Sequence, residues 1–295
     1  MGEINLMLKG VVIGGTTIDL INGSWRVGGS AYYATKALEI FGLPLMIITN
    51  SLILKPYIRS AGNIIAREGT PIIYRLENVR GSRRLTLLRT SKVMIPNNLE
   101  NLLEGTEYFV IISPVADEVD INTLFSLRRV FQGARAIGVD LQGFTRIRND
   151  EGLVMNDPNK AVPVIRALDS VDTPTIFKAE RGEVQGTDLS QILNGSGNKY
   201  LVVTNRSETI DVIAHGKLCR IDPLPGIYGD ETGAGDVFLS VSTYALSRGM
   251  EIRSSIAEGI IAGGLKVLRV HPPWFTQNEI YVLEGKVKES WRCRC

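Results

Sequence analysis

Short runs of continuously apolar residues recur along this chain, each followed by a longer segment with helical periodicity, and that alternation constrains the fold more than any other feature. Runs such as YFVIIS (108–113) and YLVVT (200–204) show no polar alternation. A strand that is apolar on both faces must be covered on both, as in a parallel sheet between two layers of helices. Strands are expected at 10–14, 45–50, 108–113, 136–140, 175–178, 200–204 and 209–213. Helices are expected at 30–41, 56–68, 121–131, 160–168, 235–247 and 251–270. The rhythm breaks twice. Residues 16–27 read as two strands turning at Asn22-Gly23, and residues 70–96 as two strands turning at Gly81-Ser82. Two antiparallel ribbons outside a parallel core suit a small β-sheet lid over a ligand site, which in open α/β sheets lies beyond the carboxyl ends of the strands. The expected organisation is one α/β domain over residues 1–295, three-layered, with that lid.

Charge and composition exclude several classes. Lys and Arg number 33 against 31 Asp and Glu, a formal net charge of +2, so no strong field for nucleic acid or a membrane surface is expected. No apolar run reaches the ~18 residues of a membrane span. The start, MGEINLMLKG, does not read as a secretory signal, and a cytoplasmic protein is expected. Three cysteines, Cys219, Cys293 and Cys295, are too few for a disulfide scaffold. Cys293-Arg-Cys295 reads as a frayed tail rather than a metal site, since no histidine or further cysteine accompanies it.

The chemistry concentrates in DETGAGD (230–236), which follows a turn-rich stretch and opens an apolar helix. Gly233, Ala234 and Gly235 are small enough for their backbone N–H groups to face one point. Those donors sit at a helix N-terminus, where the dipole favours an anion. Asp236, in the first turn, can accept a proton from an attacking hydroxyl beside that anion. Read locally, the segment is also an Asp-capped helix after a glycine loop.

The segment resembles the second hallmark motif of the ribokinase-like (PfkB) carbohydrate kinases, usually Asp-Thr-x-Gly-Ala-Gly-Asp, with Glu231 where Thr is common. The resemblance spans residues 9–270 and implies a ribokinase-like fold. It implies ATP as phosphoryl donor, a small polyol, sugar or nucleoside as acceptor, and Asp236 as base with Gly233, Ala234 and Gly235 as anion hole. Thr232 and Thr204, with Gly233 and Gly235, are its expected donor contacts. Asp19, in GGTTID (14–19), matches an acidic residue that binds substrate hydroxyls. A carboxylate can accept from two hydroxyls at once, although an Asx turn opening the hairpin would explain the same residue. Gly28-Gly29 matches the first hallmark motif, with Tyr33 where the family often has Asn. VDLQGFTR (139–146) resembles the family's Asp-x-Asn-x-Arg, so Asp140 and Gln142 are expected near substrate and Arg146 near the migrating phosphate. ERGE (180–183) is similar to Asn-x-x-Glu, with Glu183 ordering Mg²⁺ largely through water and Glu180 as a helix N-cap. The same resemblance raises a monovalent cation as a further cofactor and a homodimer built through the lid.

Within the family, GGSAYY (28–33) and VDLQ (139–142) are similar to the myo-inositol kinase branch, and a nucleoside kinase is the next reading, with Tyr32 or Tyr33 stacking on a base. Two other classes stay in view: a non-catalytic ligand-binding regulator on this fold, and a dinucleotide-binding oxidoreductase. The first turn, however, lacks G-x-G-x-x-G, and no Walker A loop occurs.

Overall fold

The computed structural model describes residues 7–59, 63–66, 69–79, 82–187, 197–205 and 208–293. Its strands are β1 (Lys9–Gly14), β2 (Thr17–Ile21), β3 (Ser24–Gly28), β4 (Leu45–Ile48), β5 (Asn63–Ile65), β6 (Ile72–Val79), β7 (Ser82–Arg89) and β8 (Tyr108–Ser113). They continue with β9 (Ile137–Asp140), β10 (Arg146–Arg148), β11 (Val154–Asn156), β12 (Thr175–Glu180), β13 (Lys199–Thr204), β14 (Ile210–Ala214), β15 (Lys217–Ile221) and β16 (Arg292–Cys293). The helices are α1 (Ser30–Leu38), α2 (Leu99–Leu103), α3 (Ile121–Ser126), α4 (Arg128–Gly133), α5 (Gln142–Thr145), α6 (Ala161–Ala167), α7 (Arg181–Val184), α8 (Ala234–Ser247), α9 (Ile252–Leu268) and α10 (Gln277–Glu289).

A ten-stranded sheet runs in the order β16-β15-β14-β13-β12-β9-β8-β1-β4-β5. The seven strands from β13 to β5 are parallel, and β14, β15 and β16 extend the sheet antiparallel. The apolar strands divide their side chains by the period of two. Val12, Phe109, Ile111, Ile176 and Val202 face a core built with α1, α8, α9 and α10. Val11, Ile13, Val110, Ile112, Phe177 and Leu201 face a second core with α2, α3, α4 and α6. Each fully buried Ile or Phe contributes about 1.5–3 kcal/mol, so the double-sided burial accounts for the lack of polar alternation.

The lid is one sheet, not two separate ribbons. The β2–β3 hairpin and the β6–β7 pair are joined because β2 and β6 run parallel, giving the order β3-β2-β6-β7. The first hairpin turns where expected: Asn22 and Gly23 both have positive φ, 50° and 79°, as a two-residue primed turn requires. Gly81 lies outside the described residues, and residues 90–96 are not strand. Ile72, Tyr74, Leu76 and Leu87 pack the lid's underside against Val115 and Ala116 after β8.

Two expectations are corrected. A helix over 56–68 is absent among its described residues: a 3₁₀ turn occupies Leu52–Tyr57 and residues 63–65 form β5. Pro56 interrupts regular helix, and the β-branched pair Ile64-Ile65 suits an edge strand. The tail is not frayed at Cys293, which stands opposite Cys219 across the β15–β16 pair and is disulfide-bonded to it. Cys295 lies outside the described residues. Helix α10, unforeseen, starts with a capping box between Thr276 and Glu279.

The Cys219–Cys293 bond joins residues 74 positions apart, and a loop of that size is worth up to about 4 kcal/mol in the chain-entropy account. Cys293→Ser should therefore lower the urea midpoint of oxidised protein relative to wild type. Equal midpoints would mean that the crosslink contributes nothing to stability.

Candidate active site

The carboxyl ends of the central strands deliver a polar cluster to one edge of the sheet. β8 ends in Ser113, β9 in Asp140, β12 in Lys178-Ala179-Glu180 and β13 in Thr204. Strand ends can carry polar groups here because the apolar stretches below them already anchor each strand.

Helix α8 brings Asp236 onto this edge. Gly233 is its N-cap, with φ 80°, and a Cβ there would come within 2.3 Å of the Tyr33 ring. Glycine is required by conformation and by space. The Ala234 N–H donates to the Glu231 carbonyl at 3.1 Å. Gly235 and Asp236 follow in the first turn, where amides lack intrahelical acceptors by the geometry of any helix start. Ser113 Oγ donates to Asp236 Oδ1 at 2.8 Å. Desolvation, reinforced by the like charge of Asp140, pushes the Asp236 carboxyl up to about 7, against the pull of Lys178, Ser113 and Arg146.

Lys178 is the cationic centre of the cluster. Its Nζ lies 3.1 Å from Asp140 Oδ2, and both side chains are almost wholly buried. The other Asp140 oxygen accepts the Gln142 N–H at 3.0 Å. A Cβ on Gly235 would stand 2.8 Å from Lys178 Nζ, so the ammonium adjoins the helix start. Burial opposes the charge on Lys178, but Asp140, Glu183, Glu180 and Asp236 together hold it protonated. Glu183 is buried, and its Oε2 accepts the Glu180 N–H at 2.7 Å in a capping box that starts α7. Burial raises its proton affinity, with Asp140 and Glu180 adding to the effect and Lys178 opposing it. Arg146 Nη1 donates to the Val115 carbonyl at 2.6 Å, and its guanidinium lies 5.9 Å from the centre of the Tyr74 ring.

On the lid side, Gly29 caps α1 with φ 89°, and a Cβ there would meet the Gly15 carbonyl at 2.3 Å. Asp19 accepts from Thr17 Oγ1 at 2.9 Å, and its Oδ2 lies 2.8 Å from where a Cβ on Gly28 would stand. Arg26, paired with Asp19 in strand register, reaches from the lid to Asp230 Oδ2 at 2.6 Å. An apolar cavity of about 140 Å³ opens behind the helix start, bounded by Thr204, Leu224, Gly235, Phe238, Ile260 and Gly263. A larger groove of about 840 Å³, beside Glu39 and Pro273, touches none of these residues.

No sequence-family profile matches the chain, and no curated protein matches it in sequence. Solved structures do match. A pyrophosphate-dependent kinase in the ribokinase family, complexed with a pyrophosphate analogue and myo-inositol, superposes with a TM-score of 0.67 at 20% identity, over 88% of this chain and 94% of that one. Ribokinase from Thermotoga maritima gives 0.67 at 15% identity, over 95% and 99%. Phosphofructokinase-2 from Escherichia coli, in complex with potassium, gives 0.62 at 14% identity, over 96% and 99%. The fold is ribokinase-like.

In this ribokinase-like frame, Asp140 and Arg146 act electrostatically on Asp236, Gln142 bonds Asp140 through its N–H, and Glu183 acts on Lys178, which adjoins Gly235, next in the chain after Gly233 and Ala234. Asp19, Gly28 and Gly29 stand together on the lid side. Tyr33 is buried between Gly233 and Trp274, stacked on the indole with ring centres 5.7 Å apart. Thr204 lines the cavity, while the Thr232 N–H is bonded to Asp230 Oδ1 at 3.0 Å. Arg206 and Ser207, after Thr204, lie outside the described residues. Ser113, Lys178, Arg26 and Lys266 escape the sequence reading. Lys178 had a signal: it is a single charge inside the apolar run TIFKA, and a lysine in a buried strand is rarely there without a partner.

The Lys178–Asp140 pair is testable as a buried ion pair. Lys178→Met should cost about 3–5 kcal/mol by stranding the Asp140 carboxylate, and adding Asp140→Leu should recover much of that loss. Additive losses in denaturant titrations of the single and double variants would show that the two groups do not interact.

Proposed function

We propose that the protein transfers the γ-phosphoryl group of ATP to a hydroxyl of a small polyol or sugar, with myo-inositol as the leading acceptor. The observation that carries this reading is the Asp236 carboxyl, placed in the first turn of a helix beside the buried Lys178 ammonium and bonded by Ser113, where desolvation raises its proton affinity. A base of that strength, adjacent to amides aimed at an anion, suits proton abstraction coupled to phosphoryl transfer.

The roles follow from position. Asp236 takes the proton of the attacking hydroxyl. The Gly235 and Asp236 amides and the dipole of α8 stabilise charge developing on the migrating group, with Gly233 and Ala234 shaping the loop. Lys178 and Arg146 supply positive charge to the same region. Asp19, the Gly28-Gly29 backbone and the Tyr33 hydroxyl form the acceptor wall, with Gln142 at its far side. Closure of the lid over that wall would exclude water from the transfer. Thr204 and the apolar cavity take the adenine end of the donor, and Thr232 keeps the intervening loop in shape. A bare pyrophosphate would leave that cavity unused, which favours a nucleotide.

Mg²⁺ fits this site as a hydrated ion. Glu183 has one oxygen engaged by the Glu180 amide, and both Glu183 and Asp236 lie in a surplus of negative charge that a cation would relieve. Glu183 and Glu180 would hold its waters, and the ion would offset triphosphate charge.

A panel of inositols, sugars and nucleosides tested with ATP–Mg²⁺ and with pyrophosphate–Mg²⁺ should show turnover with ATP and a polyol. Asp236→Asn should then lower kcat by about 10²–10⁴-fold while acceptor affinity is kept. Undiminished phosphotransfer in that variant would rule out Asp236 as the base.

The pH dependence has a defined sign. The base must be ionised, so kcat/KM should climb with pH to a plateau above about 7. Asp140→Asn removes the like charge and frees Lys178 to act on Asp236, so the acid limb should move to lower pH. An unmoved limb in pH–rate profiles of a folded Asp140→Asn variant would assign the titration to another group.

A further inference from the structure

Lys266 is a buried lysine that the proposed transfer does not use. It projects from the last turn of α9 and is 2% exposed. Its Nζ donates to the Asp230 carbonyl at 2.7 Å and stands 3.9 Å from Asp230 Oδ2. It also lies 5.6 Å from the centre of the Tyr33 ring, which packs against Gly233. The ammonium therefore sits against the Asp230 end of the loop 230–235.

That location has an electrostatic consequence. In a peptide loop whose amides point at one spot, carbonyls point outward. A cation on the Asp230 carbonyl polarises the Asp230–Glu231 peptide group and adds positive potential to the loop that leads into the helix start. It also fixes the loop, because Asp230 Oδ1 holds the Thr232 N–H at 3.0 Å. A diffusible monovalent cation could do this work, and the resemblance raises one as a cofactor. The Asp230 oxygens do not fit one here. The carbonyl is taken by Lys266, and the carboxylate by Arg26 at 2.6 Å with Lys266 beyond it. An added ion beside either group would meet like charge from Lys266 and Arg26.

We infer that Lys266 is a tethered monovalent cation: a positioning residue whose ammonium braces the Asp230 end of the anion-hole loop and makes the protein independent of potassium or sodium. The inference rests on the phosphotransfer reading for its kinetic consequence, but the occupancy of the site is independent of it. Lys266 touches no reacting atom and acts through Asp230 and the loop.

The test compares wild type, Lys266→Ala and Lys266→Arg in tetramethylammonium, potassium and ammonium chlorides at equal ionic strength, with ATP–Mg²⁺ and the best acceptor. Wild type should show the same kcat in all three salts. Lys266→Ala should lose about 10–100-fold in kcat, the worth of a charge-assisted hydrogen bond, with little change in acceptor KM. Potassium or ammonium should restore part of it, and Lys266→Arg should need neither. Thermal unfolding of the same proteins gives a readout without turnover: potassium should raise the Tm of Lys266→Ala relative to tetramethylammonium and leave wild type unchanged. Wild-type activation or stabilisation specific to potassium would overturn the inference. So would full kcat in Lys266→Ala, or a loss that no monovalent ion repairs, which would make Lys266 a packing residue. If wild type transfers no phosphoryl group to any acceptor, the function proposal fails, and the unfolding comparison still decides the role of Lys266. If the alanine variant does not fold, wild-type salt dependence and the arginine variant decide it.

Discussion

One buried ammonium, that of Lys178, carries the charge balance of the whole strand edge. Asp140 lies 3.1 Å away, and Glu183, Glu180 and Asp236 all act on it electrostatically. Removing several carboxylates from water is costly unless they share a cation. The sheet meets that requirement geometrically, because β9 and β12 are parallel neighbours with Lys178 and Asp140 in register. The balance is incomplete: Lys178 and Arg146 are two cations among four carboxylates. Burial, with that surplus adding to it, explains why Asp236 and Glu183 hold protons more tightly than ordinary carboxylates. A site with that surplus suits a further positive charge and, in the proposed reaction, a proton coming off a hydroxyl.

The loop before α8 is braced from three directions. Tyr33 lies against Gly233, Arg26 reaches Asp230 from the lid, and Lys266 reaches the same residue from α9. Trp274 in turn backs Tyr33. The Arg26–Asp230 and Tyr33–Trp274 contacts join residues more than 200 positions apart. They link the lid, the helix layer and the loop before α8 in one structure. Rigid placement of amides matters because stabilisation of developing charge depends on donors that need no reorganisation.

The central sheet was legible because its strands are apolar on both faces, a pattern with few other solutions. The start of α8 was legible because tiny residues followed by an acid make chemical sense at a helix N-terminus. Asp140 and Glu183 were found through resemblance, and the structure brings them to Asp236. Other parts carried weaker local signals. Lys178 could have been read from its isolation in an apolar strand. Thr276 and Glu279 spell a capping box that announces α10. Residues 56–68 misled because apolar spacing outweighed Pro56 and the β-branched Ile64-Ile65. Lys266 and Arg26 had no local signal at all, since their partner Asp230 becomes a neighbour only after the layers assemble. The same holds for Cys219 and Cys293, which strand register alone brings together.

The two-residue strand β16 has a consequence for how the molecule behaves among others of its kind. An outermost strand with free backbone groups is a template on which other chains can extend a sheet. β15 would be that template if nothing lay beside it. Instead the chain folds back, pairs at Cys219 and Arg220, and is fastened there covalently. The sheet margin is thereby blunted, and colloidal good behaviour, not chemistry, is what this small hem secures.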